Sequence, residues 1–277
     1  MESKKEEKKE EKKEEKIENK NKINEEKPSE KVNWYKKREA HWASKEPVLL
    51  SVIGGFEKSH LPDVKCSCEL LNGLILTKQL KPGNALDLAA GIGRVTEFVL
   101  CNFFKEIDLV EKDKKFIDKC KIKFSSNNKI RKIYMCPLES FKFEKKYDLI
   151  WIQWCLENLE DEDLEPFLKK CYDNLNDDGI IIVKENLYNL EEEEDDDDDD
   201  DNEEEKKEKK EKKEKKENKE NKNNEFKYSD LDFSKQRPDG FYINLFIKNK
   251  FKIKLHFLNP NWPEDMMPLC VYVLSKN

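Results

Sequence analysis

The stretch Asn84-Ala-Leu-Asp-Leu-Ala-Ala-Gly-Ile-Gly-Arg94 decides the fold of this chain. Its apolar first half, which follows Pro82-Gly83, is typical of a strand that is buried on both faces. Gly91 and Gly93 then let the backbone approach a ligand closely, where the next helix presents its free amide groups. The stretch therefore predicts a nucleotide-cofactor loop between a strand and a helix.

The spacing of the glycines narrows the choice of cofactor. Loops that cradle a pyrophosphate carry a third glycine, which would fall here on Thr96. About 20 residues after Gly91, the apolar run Ile107–Glu111 ends in an acidic residue, where such folds bind the two ribose hydroxyls. A nucleoside cofactor without a pyrophosphate, S-adenosylmethionine, fits both observations.

Strands and helices are predicted to alternate from Asn84 onward. The predicted strands are 84–89, 107–111, 131–136, 147–152, 180–185, 251–258 and 269–275, and helices are predicted up to about 104 and over 113–125, 161–174 and 239–250. This rhythm indicates an α/β fold with a doubly wound, seven-stranded, mostly parallel sheet whose last two strands form an antiparallel pair. Three further helices, near 34–42, 48–53 and 61–80, are expected to form an N-terminal cap over the sheet.

Charge is concentrated in two segments of the chain. Asp, Glu, Lys and Arg make up 42% of the sequence, against about 25% in ordinary globular proteins. Residues 1–31 have no net charge, and residues 188–225 have a net charge of −10. Since the whole chain has a net charge of −7, the remaining residues have a net charge of +3. Both segments lack apolar residues and are predicted to be disordered. The remainder is predicted to be one domain, 32–277, interrupted by 188–225.

The cysteines indicate a reducing compartment. None of the eight forms a pattern at zinc-site spacing, and we expect no metal site. Most of them stand at apolar positions of predicted elements, as reduced cysteines do. No apolar segment is long enough for a signal peptide or a membrane span, so the protein is expected to be soluble and intracellular.

Several segments beyond the loop resemble one known family. They are Trp42, Ile53-Gly-Gly55, Trp151-Ile-Gln-Trp154, Leu159-Glu-Asp161 and Gly179-Ile-Ile-Ile-Val-Lys-Glu-Asn186. With the loop they resemble the protein α-N-terminal methyltransferases, which methylate the N-terminal amine of proteins beginning X-Pro-Lys once the initiator Met is removed. The resemblance runs from Trp34 to Leu274 outside the charged insert. It implies a Rossmann-like class I methyltransferase domain, expected to be a monomer in the nucleus, the cytoplasm or both.

The resemblance also implies roles for particular residues. The cofactor would be bound by Ala89, Gly91, Arg94, Glu111, Lys112, Asp113, Leu138, Glu139 and Gln153. Arg94 would pair with the cofactor carboxylate and Glu111 with the ribose. The substrate peptide would be bound by Trp42, Ile53, Gly54, Trp154, Asn186, Ser229 and Asp230. Asp232 and Asn158 would be the catalytic pair, with Asp232 as the principal base.

Three positions depart from the family pattern. Ala89 replaces the first glycine of the loop, which is tolerable if its backbone angles are ordinary. Met267 stands where a tyrosine is expected, which leaves one wall of the peptide channel looser. Asn158 stands where a histidine is expected, and an amide cannot accept a proton at neutral pH.

These departures leave other functions open. A methyltransferase of the same fold acting on a small molecule is one alternative, and a non-catalytic binding module is another. Nucleic-acid binding is disfavoured because the folded part is near neutral and its lysines alternate with acids.

Overall fold

The computed structural model describes residues 30–188, 226–229 and 231–277. The chain divides into two compact units at Lys37 and Arg38. The predicted tail and insert, and Asp230, lie wholly or almost wholly outside the described residues, so the expected disorder and the single domain 32–277 stay predictions. Within the described ranges, every helix is too short or too polar to cross a membrane.

The helices and strands follow the predicted order. The helices are α1 Glu30–Ser44, α2 Leu49–Val52, α3 His60–Leu76, α4 Cys101–Phe103, α5 Lys114–Lys123, α6 Asp161–Asp173 and α7 Asp239–Lys248. The strands are β1 Asn84–Leu88, β2 Glu106–Glu111, β3 Ile130–Met135, β4 Tyr147–Gln153, β5 Leu175–Asn186, β6 Lys227–Tyr228, β7 Lys235–Gln236, β8 Phe251–Leu258 and β9 Leu269–Lys276.

Seven of these strands form one sheet in the order β3-β2-β1-β4-β5-β9-β8. The first five are parallel, and β9 runs antiparallel to both β5 and β8. The predicted fold class, including the antiparallel pair at the end, is confirmed. The direction of strand succession reverses between β1 and β4, so a ligand is expected outside the carboxyl ends of these two strands.

The sheet has a core on each face, because alternate side chains of a strand point to opposite sides. In β4, Ile150 and Ile152 join the core under α6 and α7, whereas Leu149 and Trp151 join the core under α3. Trp151 is fully buried and belongs to this second core.

Two details differ from the prediction. Strand β5 begins at Leu175 rather than at residue 180, and a bulge interrupts its start, because Tyr147 pairs with Leu175 and Leu149 already pairs with Ile180. The short hairpin β6–β7 was not predicted, since two-residue strands leave no periodic pattern.

The N-terminal helices lie against the cofactor loop, as the predicted cap requires. The side chain of Val52 in α2 is so close to Gly91 that a Cβ atom there would lie 3.3 Å from Val52 Cγ1. Lys115 of α5 donates to the carbonyl of Ala43, 2.6 Å away, just before the end of α1. Ala43 and Val52 of the predicted cap thus contact elements at the carboxyl edge of the sheet.

The loop after β1 has a left-handed backbone at three positions: Ala89 (φ 53°), Gly91 (φ 56°) and Gly93 (φ 73°). Left-handed angles cost an L-residue about 1 kcal/mol, whereas glycine adopts them freely. The condition that Ala89 has ordinary angles is therefore wrong, and this alanine is strained.

We expect Ala89→Gly to leave the free energy of unfolding within about 0.5 kcal/mol of the wild type, because relief of strain offsets the added freedom of the unfolded chain. Ala90→Gly is the matched control: Ala90 has no left-handed angle, so it should lose about 1 kcal/mol. Urea denaturation measures both. Equal losses in the two variants would contradict strain at Ala89.

Candidate active site

Hydrogen bonds between loops bring the carboxyl ends of three strands together. The amide of Ala90 donates to the carbonyl of Val110 (3.0 Å), and the amide of Cys136 donates to the carbonyl of Glu111 (2.9 Å). The loops that follow β1, β2 and β3 are therefore held at one edge, as predicted for the cofactor site.

Glu111 is fixed by the backbone of two of these loops. Its carboxylate accepts hydrogen bonds from the amides of Gly91 (2.9 Å), Lys112 (2.7 Å) and Asp113 (2.8 Å). Burial raises its pKa, although these three amides favour the charged form. The carboxylate predicted to bind the ribose is thus oriented before any ligand arrives.

Arg94 is buried at the junction between the loop and the end of β4. Its Nη1 lies 2.7 Å from Oδ2 of Asp63, and its guanidinium lies 4.9 Å from the ring centre of Trp154. Nη1 thus has an ion-pair contact without hydrogen-bond geometry, and Nη2 has no hydrogen-bond partner in the described part of the chain. A buried, unsatisfied guanidinium nitrogen is suited to a ligand carboxylate, which supports the predicted contact with the methionine end of the cofactor.

Asp63 is the centre of a buried ionic network that was not predicted from the sequence. It lies on α3 with no solvent exposure and binds the ammonium of Lys184, at the end of β5, besides Arg94. Gln153 donates to it (2.9 Å), and Lys184 also donates to Ser67 Oγ (2.9 Å). Burial opposes ionisation, but Lys184 and Arg94 lower the pKa of Asp63 to about 2.

Thr96, which stands where a third glycine would fall, has a structural role in the loop. Thr96 donates to Asp87 through its hydroxyl (2.6 Å) and its amide (3.2 Å), so side-chain hydrogen bonds close the loop against β1. Burial raises the pKa of Asp87 to about 6. Gly93 is also required for packing, because a Cβ atom there would lie 2.5 Å from the ring of Phe124.

The other predicted cofactor residues lie along the same edge, but two have structural contacts. Asp113 caps α5 by accepting from the amide of Lys115 (3.0 Å). Gln153 accepts from the indole of Trp151 (3.0 Å) and belongs to the Asp63 network, so its amide is held rigidly. Leu138 and Glu139 form a short 3-10 turn after β3, where Leu138 packs on the core and Glu139 is exposed.

On the peptide side, Trp154 has a left-handed backbone (φ 52°) directly after β4. Its amide donates to the carbonyl of Lys184 (3.0 Å), and its carbonyl accepts from the side chain of Asn158 (2.8 Å). Its ring packs 6.4 Å from Trp262, an aromatic residue that was not predicted to line the site. Asn186, at the end of β5, has a buried Oδ1 with no partner among the described residues, as a peptide-binding amide requires.

Trp42 and Trp154 belong to separate aromatic groups. Trp42 packs on Phe116 of α5 (6.5 Å between ring centres) and on its neighbour His41 (5.5 Å). Of the other residues predicted to bind the peptide upstream, Ile53 is 5% exposed and belongs to the core, whereas Gly54 is exposed. The contact predicted for Gly54 stays a prediction.

The hairpin turn Ser229–Ser234 carries Asp232. The amide of Ser229 donates to the carbonyl of Ser234 (2.9 Å), and Asp232 Oδ1 accepts from the amide of Ser234 (3.1 Å). Phe233 has a left-handed backbone (φ 60°), and its ring lies 6.2 Å from that of His41. Asp232 therefore sits on a defined turn that faces α1.

Two buried cations hold this hairpin to the segment that follows β4. Arg237, fully buried, donates to the carboxylate of Asp161 (2.7 and 2.9 Å) and to the carbonyls of Leu156 (3.1 Å) and Leu159 (2.6 Å). Lys235 also reaches Asp161 (2.8 Å). These contacts form a latch between the hairpin and the start of α6, and it was not predicted.

Two buried carboxyl groups lie behind this segment. Glu185 of β5 accepts from the amides of Cys155 (2.9 Å) and Leu156 (2.7 Å), and burial raises its pKa to about 7. The pKa of Glu157 is raised well above its ordinary value, first by burial and then by the charges of Glu185 and Asp232.

One group of three potential metal ligands is found in the described ranges, outside the predicted site. Asp239, His256 and Cys270 bring their ligand atoms within 4.8 Å of one another. Asp239 Oδ1 already contacts His256 Nε2 (2.9 Å) and accepts from the hydroxyl of Tyr272 (2.6 Å). This hydrogen-bonded group is complete without an ion, and the expectation of no metal site stays a prediction.

A doubly wound sheet with this glycine loop and a carboxylate at the end of β2 fits an S-adenosylmethionine-dependent methyltransferase of class I. The model of the AdoMet dependent proline di-methyltransferase family matches residues 30–217. The chain belongs to this family.

Named relatives and solved structures agree with this assignment. Alpha N-terminal protein methyltransferase 1 of Dictyostelium discoideum is 42% identical over 159 residues, which span 55% of this chain and 59% of that protein. N-terminal Xaa-Pro-Lys N-methyltransferase 1 of Danio rerio is 32% identical, over 57% of this chain and 73% of that protein. A SAM-dependent methyltransferase from Leishmania major superposes with a TM-score of 0.70 at 26% identity, covering 87% of this chain and 83% of that chain. Another from Clostridium acetobutylicum shares the fold (TM-score 0.59, 16% identity, covering 82% and 98%).

We expect Asp63→Asn to lower the free energy of unfolding at pH 7 by about 3–5 kcal/mol, because two buried cations lose their anion. The pKa of Asp63 is lowered from 3.8 to about 2, so its ionisation contributes about 2 kcal/mol of stability above pH 4, which is lost as the pH falls through 2. The variant should lose less stability than the wild type between pH 4 and pH 2.

Urea unfolding at pH 7, 4, 3 and 2 measures these differences. Asp118→Asn removes an exposed ion pair with Lys114 and should change stability by less than 1 kcal/mol. The same pH dependence in wild type and Asp63→Asn would contradict the ionised state of Asp63.

We expect Asp161→Asn to loosen the hairpin. The substitution removes the carboxylate that Arg237 and Lys235 share, at a cost of about 1–2 kcal/mol, less than for a fully buried pair because Asp161 is 43% exposed. Amides of residues 227–236 should exchange hydrogen faster. Glu165→Gln is the control: Glu165 lies on the same helix as Asp161, and the substitution breaks only its exposed pair with Lys248 of α7. Unchanged exchange in Asp161→Asn would show that the latch does not hold the hairpin.

Proposed function

We propose that this chain transfers methyl groups from S-adenosylmethionine to the N-terminal α-amine of proteins that begin X-Pro-Lys. The observation that carries the proposal is the contact of Arg94 with Trp154. It supports one continuous site, in which a methyl donor held near Arg94 would meet an amine held near Trp154. The names of the Dictyostelium and Danio relatives, which describe N-terminal methylation, support it.

In this function the cofactor half of the site binds by charge and shape. Arg94 would pair with the carboxylate, Glu111 would accept from the ribose hydroxyls, and Leu138 with Glu139 would flank the adenine. Bound there, S-adenosylmethionine supplies an electrophilic methyl group on a positively charged sulfur. Gly91 keeps the loop free of side chain, since its left-handed backbone suits glycine.

The peptide half orients the nucleophile. Trp154 with Trp262 and Trp42 would bound the channel for the first residue and the proline, and Asn186 would bind the peptide backbone. Ser229, Asp230 and Asp232 would meet the amine and the lysine. An α-amine has a pKa of about 7.7–8.0, so most of it is protonated at pH 7 and must lose a proton before it can attack. Orientation of the amine against the methyl group contributes several kcal/mol by itself.

Three peptides separate the proposed function from its alternatives. The full chain is incubated with methyl-labelled S-adenosylmethionine and X-Pro-Lys, X-Ala-Lys or N-acetylated X-Pro-Lys peptide. We expect label in the first peptide alone, because acetylation removes the nucleophile and alanine lacks the ring that the tryptophans would enclose. Equal labelling of X-Pro-Lys and X-Ala-Lys would contradict the role of proline. Absence of label from all three would favour a small-molecule substrate or a binding module.

We further propose that the protein acts as a monomer in the nucleus, the cytoplasm or both.

A further inference from the structure

The proposed reaction needs a proton acceptor. Asn158 stands where a histidine was expected, and its amide cannot accept a proton. Asn158 donates its amide hydrogen to the carbonyl of Trp154, so it serves the backbone of the site. The chain has three histidines. His256 is bound to Asp239, and the ring of His60 packs 4.8 Å from Phe98.

The third histidine, His41, lies next to residues that were predicted to bind the peptide. It precedes Trp42 on α1, and its ring meets Phe233 edge to face, with ring centres 6.2 Å apart. Phe233 directly follows Asp232 on the hairpin turn, and its amide donates to the carbonyl of Ser229 (3.0 Å). The imidazole is therefore held between a tryptophan of the channel and the turn that presents the carboxylate.

The charges around His41 favour a neutral imidazole. Burial lowers the pKa of His41 below 6.5. The cation Lys45, just beyond α1, and the cation Arg38, on α1, lower it further, whereas Asp232 on the facing hairpin raises it. At neutral pH the ring is therefore mostly unprotonated and can accept a proton. Asp232 is placed to stabilise the imidazolium that results.

We propose that His41 is the proton acceptor of this enzyme, with Asp232 as the counterion of its protonated ring. The inference rests on the proposed function and names the group that prepares its nucleophile. The substrate ammonium gives one proton to the imidazole and becomes a neutral amine. The amine lone pair then forms the new N–C bond while the S–C bond breaks and its electron pair stays on sulfur. Imidazole, with an ordinary pKa near 6.5, is better matched to this transfer at neutral pH than a carboxylate with one near 4.

The test compares His41→Gln with the wild type on an X-Pro-Lys peptide from pH 6.5 to pH 9.5, with His256→Gln as the matched control. At pH 7 we expect the kcat of His41→Gln to fall at least 100-fold. At pH 9.5 most of the peptide amine is already neutral, so the variant should recover to within about threefold of the wild type. His256→Gln should follow the wild type throughout. Binding of S-adenosylhomocysteine, measured by calorimetry, should be unchanged in both variants.

Three other results of this experiment would each contradict a different part of the proposal. An equal loss at pH 7 and pH 9.5 would assign His41 a structural role and overturn the proposal. Full activity of His41→Gln at pH 7, together with pH-dependent loss in Asp232→Asn, would return the acceptor role to Asp232. A wild type that methylates none of the X-Pro-Lys peptides would overturn the proposed function itself.

Discussion

The site depends on one buried carboxylate. Asp63 has no contact with solvent and is shared by Lys184 and Arg94, so three charged groups lie in an interior that tolerates them only when they are paired. Within this network one anion meets two cations, which leaves an excess of one positive charge. The excess is located where Arg94 Nη2 has no hydrogen-bond partner among the described residues. A carboxylate bound at that point would balance the charge and accept a hydrogen bond from Nη2.

The same network links the two halves of the site. Gln153 joins Asp63 to the buried indole of Trp151, and Arg94 joins it to the ring of Trp154. The left-handed backbone at Trp154 costs about 1–3 kcal/mol and persists because hydrogen bonds hold both its amide and its carbonyl. Asp63 thus connects groups on both sides of the candidate site through a hydrogen bond and an ion pair.

The sequence was informative where the pattern is local. The apolar run before Gly91, the alternation of strands and helices, and Glu111 at the end of β2 follow from periodicity and spacing, and these features were predicted correctly. Asp63 was missed because, from the sequence alone, a single acidic residue on an amphipathic helix is expected to face solvent. The one local signal was its spacing of four from Ser67, which places both on the buried face of α3. The strain at Ala89 and the latch at Arg237 depend on contacts between distant segments, which no local pattern encodes.

The hydrogen bond of Asn158 with the carbonyl of Trp154 gives this departure from the family pattern a structural role. A side chain at this position supports the carbonyl of a strained residue, and an amide performs that task with its Nδ2–H. The proton chemistry is a separate requirement, and the chain surrounds the peptide side with other titratable groups: His41, Asp232 and the Glu157–Glu185 pair, which burial keeps from full ionisation at neutral pH. Loss of a histidine at one position therefore removes neither the backbone support nor the capacity to hold a proton. The identity of residue 158 alone does not decide whether this fold can deprotonate an amine.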